Sequence, residues 1–305
     1  MRMKTSYGKA QVGVYRTYVR PLEGLAAIPE SSFAGRSNEL FAMEVDVEVF
    51  GDNFLAAYTE GDNSNVVATD TMKNFILREA LDFDGATAEQ FLWFLGQRFL
   101  ATYPTMGSLR LTGRQVPFEP ASVPATGGFG ASHVLFGQQR GDEAIFALDV
   151  GRDATGLAHL TNLSSGRVGL QLIKLTGSSF ASFQRDSYTT LPQVIDRPLF
   201  IYLDAHWRYI DPLAAMAIPS YVPSEQVRDL AATVFHEFVS KSIQHLAHEI
   251  GQRMLLRWPQ LSEVSFDAQN RLWDTAHVSE ADPKIKVYYD PRPPYGHITF
   301  TLARS

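Results

Sequence analysis

Two kinds of residue in this chain could do chemistry: histidines near helical spacing, and short polar strings placed where secondary structure begins or ends. His236-Glu237 opens like a zinc-peptidase helix, but that motif needs a second histidine four residues on, where Ser240 stands. His245 and His248 lie at i, i+3 without an Asp or Glu ligand pattern around them. These histidines therefore read as the polar edge of an amphipathic helical region whose apolar face is Val234, Phe235, Phe238, Leu246, Ile250 and Met254, and no metal site is expected. Gly127-Gly128-Phe129-Gly130 follows a Pro-rich stretch and opens no helix, so it reads as flexible loop and not as a phosphate cradle. There is no Gly-x-Ser-x-Gly elbow, dinucleotide fingerprint or Walker loop. What stands out is the set of polar strings at element junctions, where a scaffold can hold reactive groups at a pocket mouth: Tyr7-Gly8-Lys9, Val67-Ala68-Thr69-Asp70, Ser179-Phe180 and Asp196-Arg197 among them.

The elements that must position them are legible from periodicity. Met43, Val45, Val47 and Val49 alternate with Glu44, Asp46 and Glu48, the pattern of a half-buried antiparallel strand, and Gln11 to Val19 reads as its partner. The turn residues Gly61-Asp62-Asn63-Ser64 lead into a helix over Thr69 to Ala80. Thr87-Ala88-Glu89-Gln90 makes a capping box for a second helix bearing Phe91, Leu92, Leu95, Phe99 and Leu100, which Pro104 stops. Strands at Ser108 to Thr112 and Ala144 to Val150 follow, separated by a Pro- and Gly-rich connection, Pro117 to Gly130, expected to be loop. The first half thus reads ββααββ. The second repeats it, with strands at Val168 to Thr176 and Leu199 to Arg208, helices at Glu225 to Ser240 and Ile243 to Leu256, and strands near Ser262 to Trp273 and Ile298 to Leu302. Residues 1–150 and 151–305 are the expected domains of this α+β chain, in keeping with its length of 305 residues.

Composition narrows the partners. A net charge of −6 without a basic patch argues against nucleic acid, although one or two arginines inside a pocket can hold a small anion whatever the distant surface charge. The absence of cysteine removes disulfides, thiolate metal sites and cysteine nucleophiles together, and suits a reducing cytoplasm. No apolar run approaches the roughly 18 residues of a membrane span, the first residues hold no apolar signal segment, and Leu302-Ala303-Arg304-Ser305 is not a peroxisomal address, so the expected location is cytoplasmic.

Read together, Tyr7-Gly8-Lys9, Val67-Ala68-Thr69-Asp70-Thr71-Met72-Lys73-Asn74, Ser179-Phe180 and Phe183-Gln184-Arg185-Asp186-Ser187-Tyr188-Thr189-Thr190-Leu191 resemble the urate oxidase family. Asp196-Arg197, Asp204-Ala205 before Trp207, Ile243-Gln244 and Gln269-Asn270 fall in the family's order at similar spacing, and the likeness is weakest over residues 104 to 145. The resemblance implies two tandem tunnelling-fold ββααββ domains, with helices on one face of antiparallel sheets that assemble into a tunnel-shaped barrel. It also implies a homotetramer with active sites at subunit interfaces, and cofactor-independent oxidation of urate by O2 and water to 5-hydroxyisourate and hydrogen peroxide. Neither metal nor flavin is implied, because the electron-rich urate dianion is itself the reductant.

By the same resemblance Phe180 stacks on the flat purine and Arg197 grips a carbonyl oxygen and ring nitrogen with its bidentate fork. Gln244 reads the opposite edge with an amide that both donates and accepts. Ile243 lends a backbone N–H at the helix start opened by Ser242. Lys9 and Thr69 match the catalytic pair, with Thr69 and Asp70 reaching a neighbouring subunit's substrate: the Thr hydroxyl relays a proton and a desolvated Lys9 accepts it. Asn270 holds oxygen or water above the ring. The family commonly places a histidine shortly after that asparagine, whereas Arg271-Leu272-Trp273 follows here, and His277 lies at an odd separation that puts it on the opposite face of a regular strand. Two other functions are compatible with the residues: a tunnelling-fold enzyme acting on pterins or other purines, which the lack of cysteine and of a histidine cluster disfavours, and a urate-binding protein without turnover.

Overall fold

The computed structural model describes residues 3–271 and 273–304. It divides into two compact units: Met1–Ala27, Phe33–Ser165 and Arg208–Tyr221 form the first, and Ile28–Ser32, Gly166–Trp207 and Val222–Ser305 the second.

In the first unit β1 (Ser6–Thr17), β2 (Leu40–Phe50), β3 (Ser108–Gln115) and β6 (Glu143–Arg152) form an antiparallel sheet in the order β1-β2-β3-β6. Its register stacks apolar residues across strands, with Val47 opposite Leu111 and Leu111 opposite Leu148. All three are essentially solvent-free, while Glu44, Asp46 and Glu48 take the other, half-buried face. Short α1 (Leu55–Thr59), α2 (Thr69–Glu79) and α3 (Ala88–Thr102) come between β2 and β3. Thr87 starts α3 with a complete capping box: its hydroxyl accepts from the Gln90 N–H, and the Gln90 side chain accepts from the Thr87 N–H. Phe91, Leu92, Leu95 and Phe99 of α3 are fully buried, each contributing about 1.5–3 kcal/mol by leaving water. Gly96 brings this helix close: a Cβ there would meet the Val150 side chain at 2.9 Å and Leu111 at 3.1 Å.

The stretch expected to be loop at 117–130 is instead most of a two-stranded ribbon, β4 (Phe118–Ala125) with β5 (Gly128–Gln138), turned at Gly127-Gly128 where φ is +88° and +148°. Its prolines fit because a two-stranded ribbon is all edge, so Pro120 and Pro124 can face away from the ladder, and the pairing shifts register between Pro120 and Ser122.

β7 (Ala158–Lys174) carries the chain from the first unit into the second. There β8 (Leu199–Tyr209), β9 (Leu261–Arg271) and β12 (Gly296–Ala303) continue in the order β7-β8-β9-β12. The β8 side chains Ile201, Leu203, Ala205 and Trp207 are buried and alternate with half-buried Tyr202, Asp204 and His206. Helices α4 (Ser224–Glu237) and α5 (Ile243–Arg257) precede β9, and α5 packs on β9 and β12 through Leu246, Ile250 and Met254, all essentially buried. A small ribbon, β10 (Thr275–Val278) with β11 (Lys286–Tyr288), stands between β9 and β12. Each half therefore shows two strands, its helices and two further sheet strands, with an inserted ribbon in each. No closed barrel forms among the described residues: β1 and β12 end the strand order, each with a neighbour on one side only.

Candidate active site

The expected residues fall into two constellations, one in each unit. Lys9, Thr69 and Asp70 belong to the first, and Phe180, Arg197, Ile243, Gln244 and Asn270 to the second.

In the first unit, Lys9 sits half-buried on β1 opposite Val47. Gly8 before it must be glycine, because a Cβ would stand 1.9 Å from the Val47 carbonyl oxygen. Just after Lys9 the register breaks, with Gln11 at φ +57° and its N–H donating to Asp46 Oδ1 at 2.6 Å. Thr69 and Asp70 are the first two residues of α2 and both are exposed. Ala68 in the N-cap position supplies no side-chain acceptor, so the helix start is left to be satisfied by other groups. The Asp70 carboxylate accepts from Lys73 Nζ at 2.5 Å and Asn74 Nδ2 at 3.1 Å. The Lys73 hydrogen bond and charge hold its carboxyl below the ordinary carboxylate range, with a smaller pull from Lys9 on β1.

In the second unit the chain leaves β7 and makes a short bridge in which Phe180 and Val194 exchange backbone hydrogen bonds at 2.8 and 3.0 Å. Phe183 stacks on Phe180, with centroids 5.0 Å apart and planes 15° apart, which fixes the plane of the ring. The Arg197 N–H donates to the Ser178 carbonyl at 2.8 Å, and its guanidinium carbon lies 5.6 Å from the Phe180 centroid. Asp196 ties down the same turn, accepting from Thr176 Oγ1 and the Gly177 N–H, both at 2.7 Å; the Thr176 bond first, then Gly177, holds its carboxyl low. Burial pushes the Arg197 guanidinium down, yet arginine keeps its proton. Its buried Nε finds no hydrogen-bond partner among the described residues. A desolvated cation with an idle donor beside an aromatic plane is suited to a flat anion that accepts in-plane hydrogen bonds.

A buried cross-link joins this turn to helix α5. Ser178 and Ser240 form a parallel bridge, the Ser179 N–H donates to the Ser240 carbonyl at 2.8 Å, and the two hydroxyls are 3.0 Å apart. Two residues later Ser242 caps α5 by accepting from the His245 N–H at 3.1 Å; Ile243 is buried and Gln244 exposed. Because α5 turns tightly into β9 at Trp258 to Leu261 and packs against it, Asn270 near the far end of β9 runs back toward the start of α5. Phe180, Arg197, Ile243 and Gln244 are thus tied into one local framework, with Asn270 at the same end of the layer.

Arg271 takes the opposite face of β9 from Asn270. It lies on the Gln269 face of β9, donates to Gln269 Oε1 at 2.5 Å, and is stacked between the rings of Tyr202 at 4.4 Å and Tyr295 at 3.9 Å. Leu272 lies outside the described residues. His277 is exposed on β10, which pairs with β11 and not with β9, so it is no continuation of the Asn270 strand. His245 meets Phe238 edge-on at 4.5 Å, and among the described residues no three His, Asp or Glu side chains are grouped to hold a metal ion. The Ser178–Ser240 link was missed by sequence reasoning. Only the small polar Ser178 next to the Ser179-Phe180 string hinted at it, and its partner is 62 residues away. A cavity of about 300 Å³ in the first unit, lined by Arg36, Glu39, Phe41, His133 and Phe136 among others, contains none of the expected residues.

Comparison with known proteins gives these constellations a context. A family model described as Uricase matches residues 5–141 and 163–299. The chain is 46% identical over 304 residues to a uricase of Haloferax volcanii, covering 98% of both. It is 45% identical over its whole length to a Bacillus subtilis protein named uric acid degradation bifunctional protein, but spans only 62% of that relative. The crystal structure of Bacillus sp. TB-90 urate oxidase superposes with a TM-score of 0.95 at 43% identity, covering 99% of this chain and 100% of that one.

Proposed function

The chain belongs to the uricase family, and from that premise we propose that it oxidises urate with O2 and water to 5-hydroxyisourate and hydrogen peroxide. The observation that carries this reading is Arg197: a guanidinium with a buried, idle Nε–H beside the ring of Phe180. A purine dione offers that group the in-plane carbonyl oxygen and ring nitrogen it lacks, and offers Phe180 a flat face. Gln244 reads the opposite edge, Ile243 gives its backbone N–H, and Asn270 holds O2 or water over the ring.

Lys9 and Thr69 work on the proton. Urate monoanion loses a second proton through the Thr69 hydroxyl to Lys9, and the dianion then passes electrons to O2. In the balanced reaction urate gains one oxygen as hydroxyl from water, and O2 leaves as hydrogen peroxide with the two electrons and two protons that urate and water release. Thr69 and Asp70 belong to a different unit from Arg197 and Phe180, which fits a pocket shared between protomers of a homotetramer whose sheets close the tunnel together. On this reading residues 1–150 and 151–305 are the two tandem tunnelling-fold domains. The cysteine-free composition suits a cytoplasmic enzyme.

The test is to add urate to the protein in air and follow urate's ultraviolet absorbance together with oxygen uptake and peroxide. Loss of absorbance with one O2 consumed and one peroxide formed per urate supports the reading. Urate binding without oxygen uptake would replace it with a binding protein.

A further inference from the structure

We propose that Tyr7 is a positioning residue for the proton relay, its phenolic oxygen clamping the start of helix α2 so that Thr69 is held against Lys9; this rests on the function proposed above. The clamp is a single long-range bond: the Val67 N–H donates to Tyr7 Oη at 3.1 Å. Tyr7 precedes Lys9 by two residues on β1, so the two side chains leave the strand on the same face. Val67 precedes Thr69 by two residues. The bond therefore closes a short loop of structure with one relay member two residues beyond each of its ends.

The Tyr7 end of the bond is itself fixed. The Tyr7 ring packs edge-on against Phe54 at 4.8 Å, and Phe54 is only 2% exposed. Burial pushes the Tyr7 phenol upward, so it stays a neutral hydroxyl, able to accept from Val67 while its own proton is free to reorient. Between Tyr7 and Lys9, Gly8 runs so close to β2 that no side chain fits: a Cβ there would stand 1.9 Å from the Val47 carbonyl oxygen. On the helix side the start of α2 has no side-chain cap, since Ala68 occupies the N-cap. The approach to α2 thus lacks the usual local anchor, and the Tyr7 hydroxyl supplies a distant one.

The measurement is steady-state kinetics of Tyr7→Phe in the assembled enzyme, which deletes the oxygen but keeps the ring against Phe54. Misplacement of a reacting group by a fraction of an ångström costs rate more than binding, so kcat falls roughly 10- to 100-fold while KM for urate stays within about twofold. In the Thr69→Ala background Tyr7→Phe adds no further loss, because there is no hydroxyl left to position. Hydrogen exchange at the Val67 amide accelerates in Tyr7→Phe with the melting temperature unchanged. Should Tyr7→Phe not assemble, Val67→Pro removes the donor from the other side and reads the same bond. Wild-type kcat in Tyr7→Phe, or an equal loss with and without Thr69, overturns the positioning role. If instead Lys9→Met and Thr69→Ala retain turnover, it is the relay reading that fails.

Discussion

The hydroxyls of Ser178 and Ser240 are 3.0 Å apart in a pocket that leaves them 1% and 0% exposed, and together with the backbone bridge beside them they join the Phe180–Arg197 turn to the start of α5. Cutting that bond by Ser240→Ala leaves the Ser178 hydroxyl buried without this partner, which costs about 1–2 kcal/mol of stability. It also loosens α5 relative to Arg197, so KM for urate rises more than kcat falls. Denaturant unfolding and steady-state kinetics on the same preparation check both.

Arg197→Lys keeps the charge and loses the fork. An ammonium cannot present two parallel donors to a purine edge, and about 2–3 kcal/mol of transition-state binding disappears, a drop of roughly 30- to 150-fold in kcat/KM. Catalytic efficiency near wild type in this variant removes Arg197 from the site.

Lys9→Met and Thr69→Ala are each expected to abolish most turnover while urate still binds, because both are proposed to act on proton transfer. Groups acting as one relay lose their effect together, so the double variant is scarcely worse than either single one. A loss equal to the sum of the two single losses in free energy separates them into independent roles.

A pocket shared by two chains is open to complementation. Thr69→Ala and Arg197→Ala are each inactive, and in hybrids formed by reversible dissociation some sites combine the two unmutated halves. Recovered activity in verified hybrids identifies a shared pocket, and no recovery places both residue groups in a pocket within one chain.

Asp196 gives the site a pH limit. Its folded-state pKa is lowered by the hydrogen bonds from Thr176 and Gly177, so its contribution is fully present above the unfolded value of about 3.9 and is lost as pH falls through the lower folded value. The difference in urea midpoint between wild type and Asp196→Asn is accordingly constant from neutral pH to about 4, and closes only below that. A difference that already closes near pH 6 assigns the effect to another group.

The sequence was most readable where one local rule decides the outcome. The Thr87 capping box and the Met43–Val49 alternation each concern a few consecutive residues, and both stand as expected in the fold. The 117–130 stretch misled because proline and glycine signal a loop unless the chain forms an isolated ribbon, where every strand is an edge. Five-residue α1 and the β10–β11 ribbon are too short for periodicity to show. At the candidate site the residues were named through a family likeness. What could not be found was the hardware between them: Tyr7 to Val67 and Ser178 to Ser240 span 60 and 62 residues, with no local pattern to announce either.

Among the described residues strand β1, which carries Lys9, has a strand neighbour only in β2. In an unassembled protomer its outer margin is a ready template for any extended peptide, and nascent or partly unfolded copies could stick to one another along it. Evolution usually blunts such a margin with lysine or a bulge, and here both devices occur together at Lys9 and Gln11. The lysine proposed as a catalytic base is thus placed where a charge would also oppose misassembly. Lys9→Met therefore carries a second cost, a tendency to precipitate during expression, which has to be separated from lost chemistry by assaying only the soluble, assembled fraction.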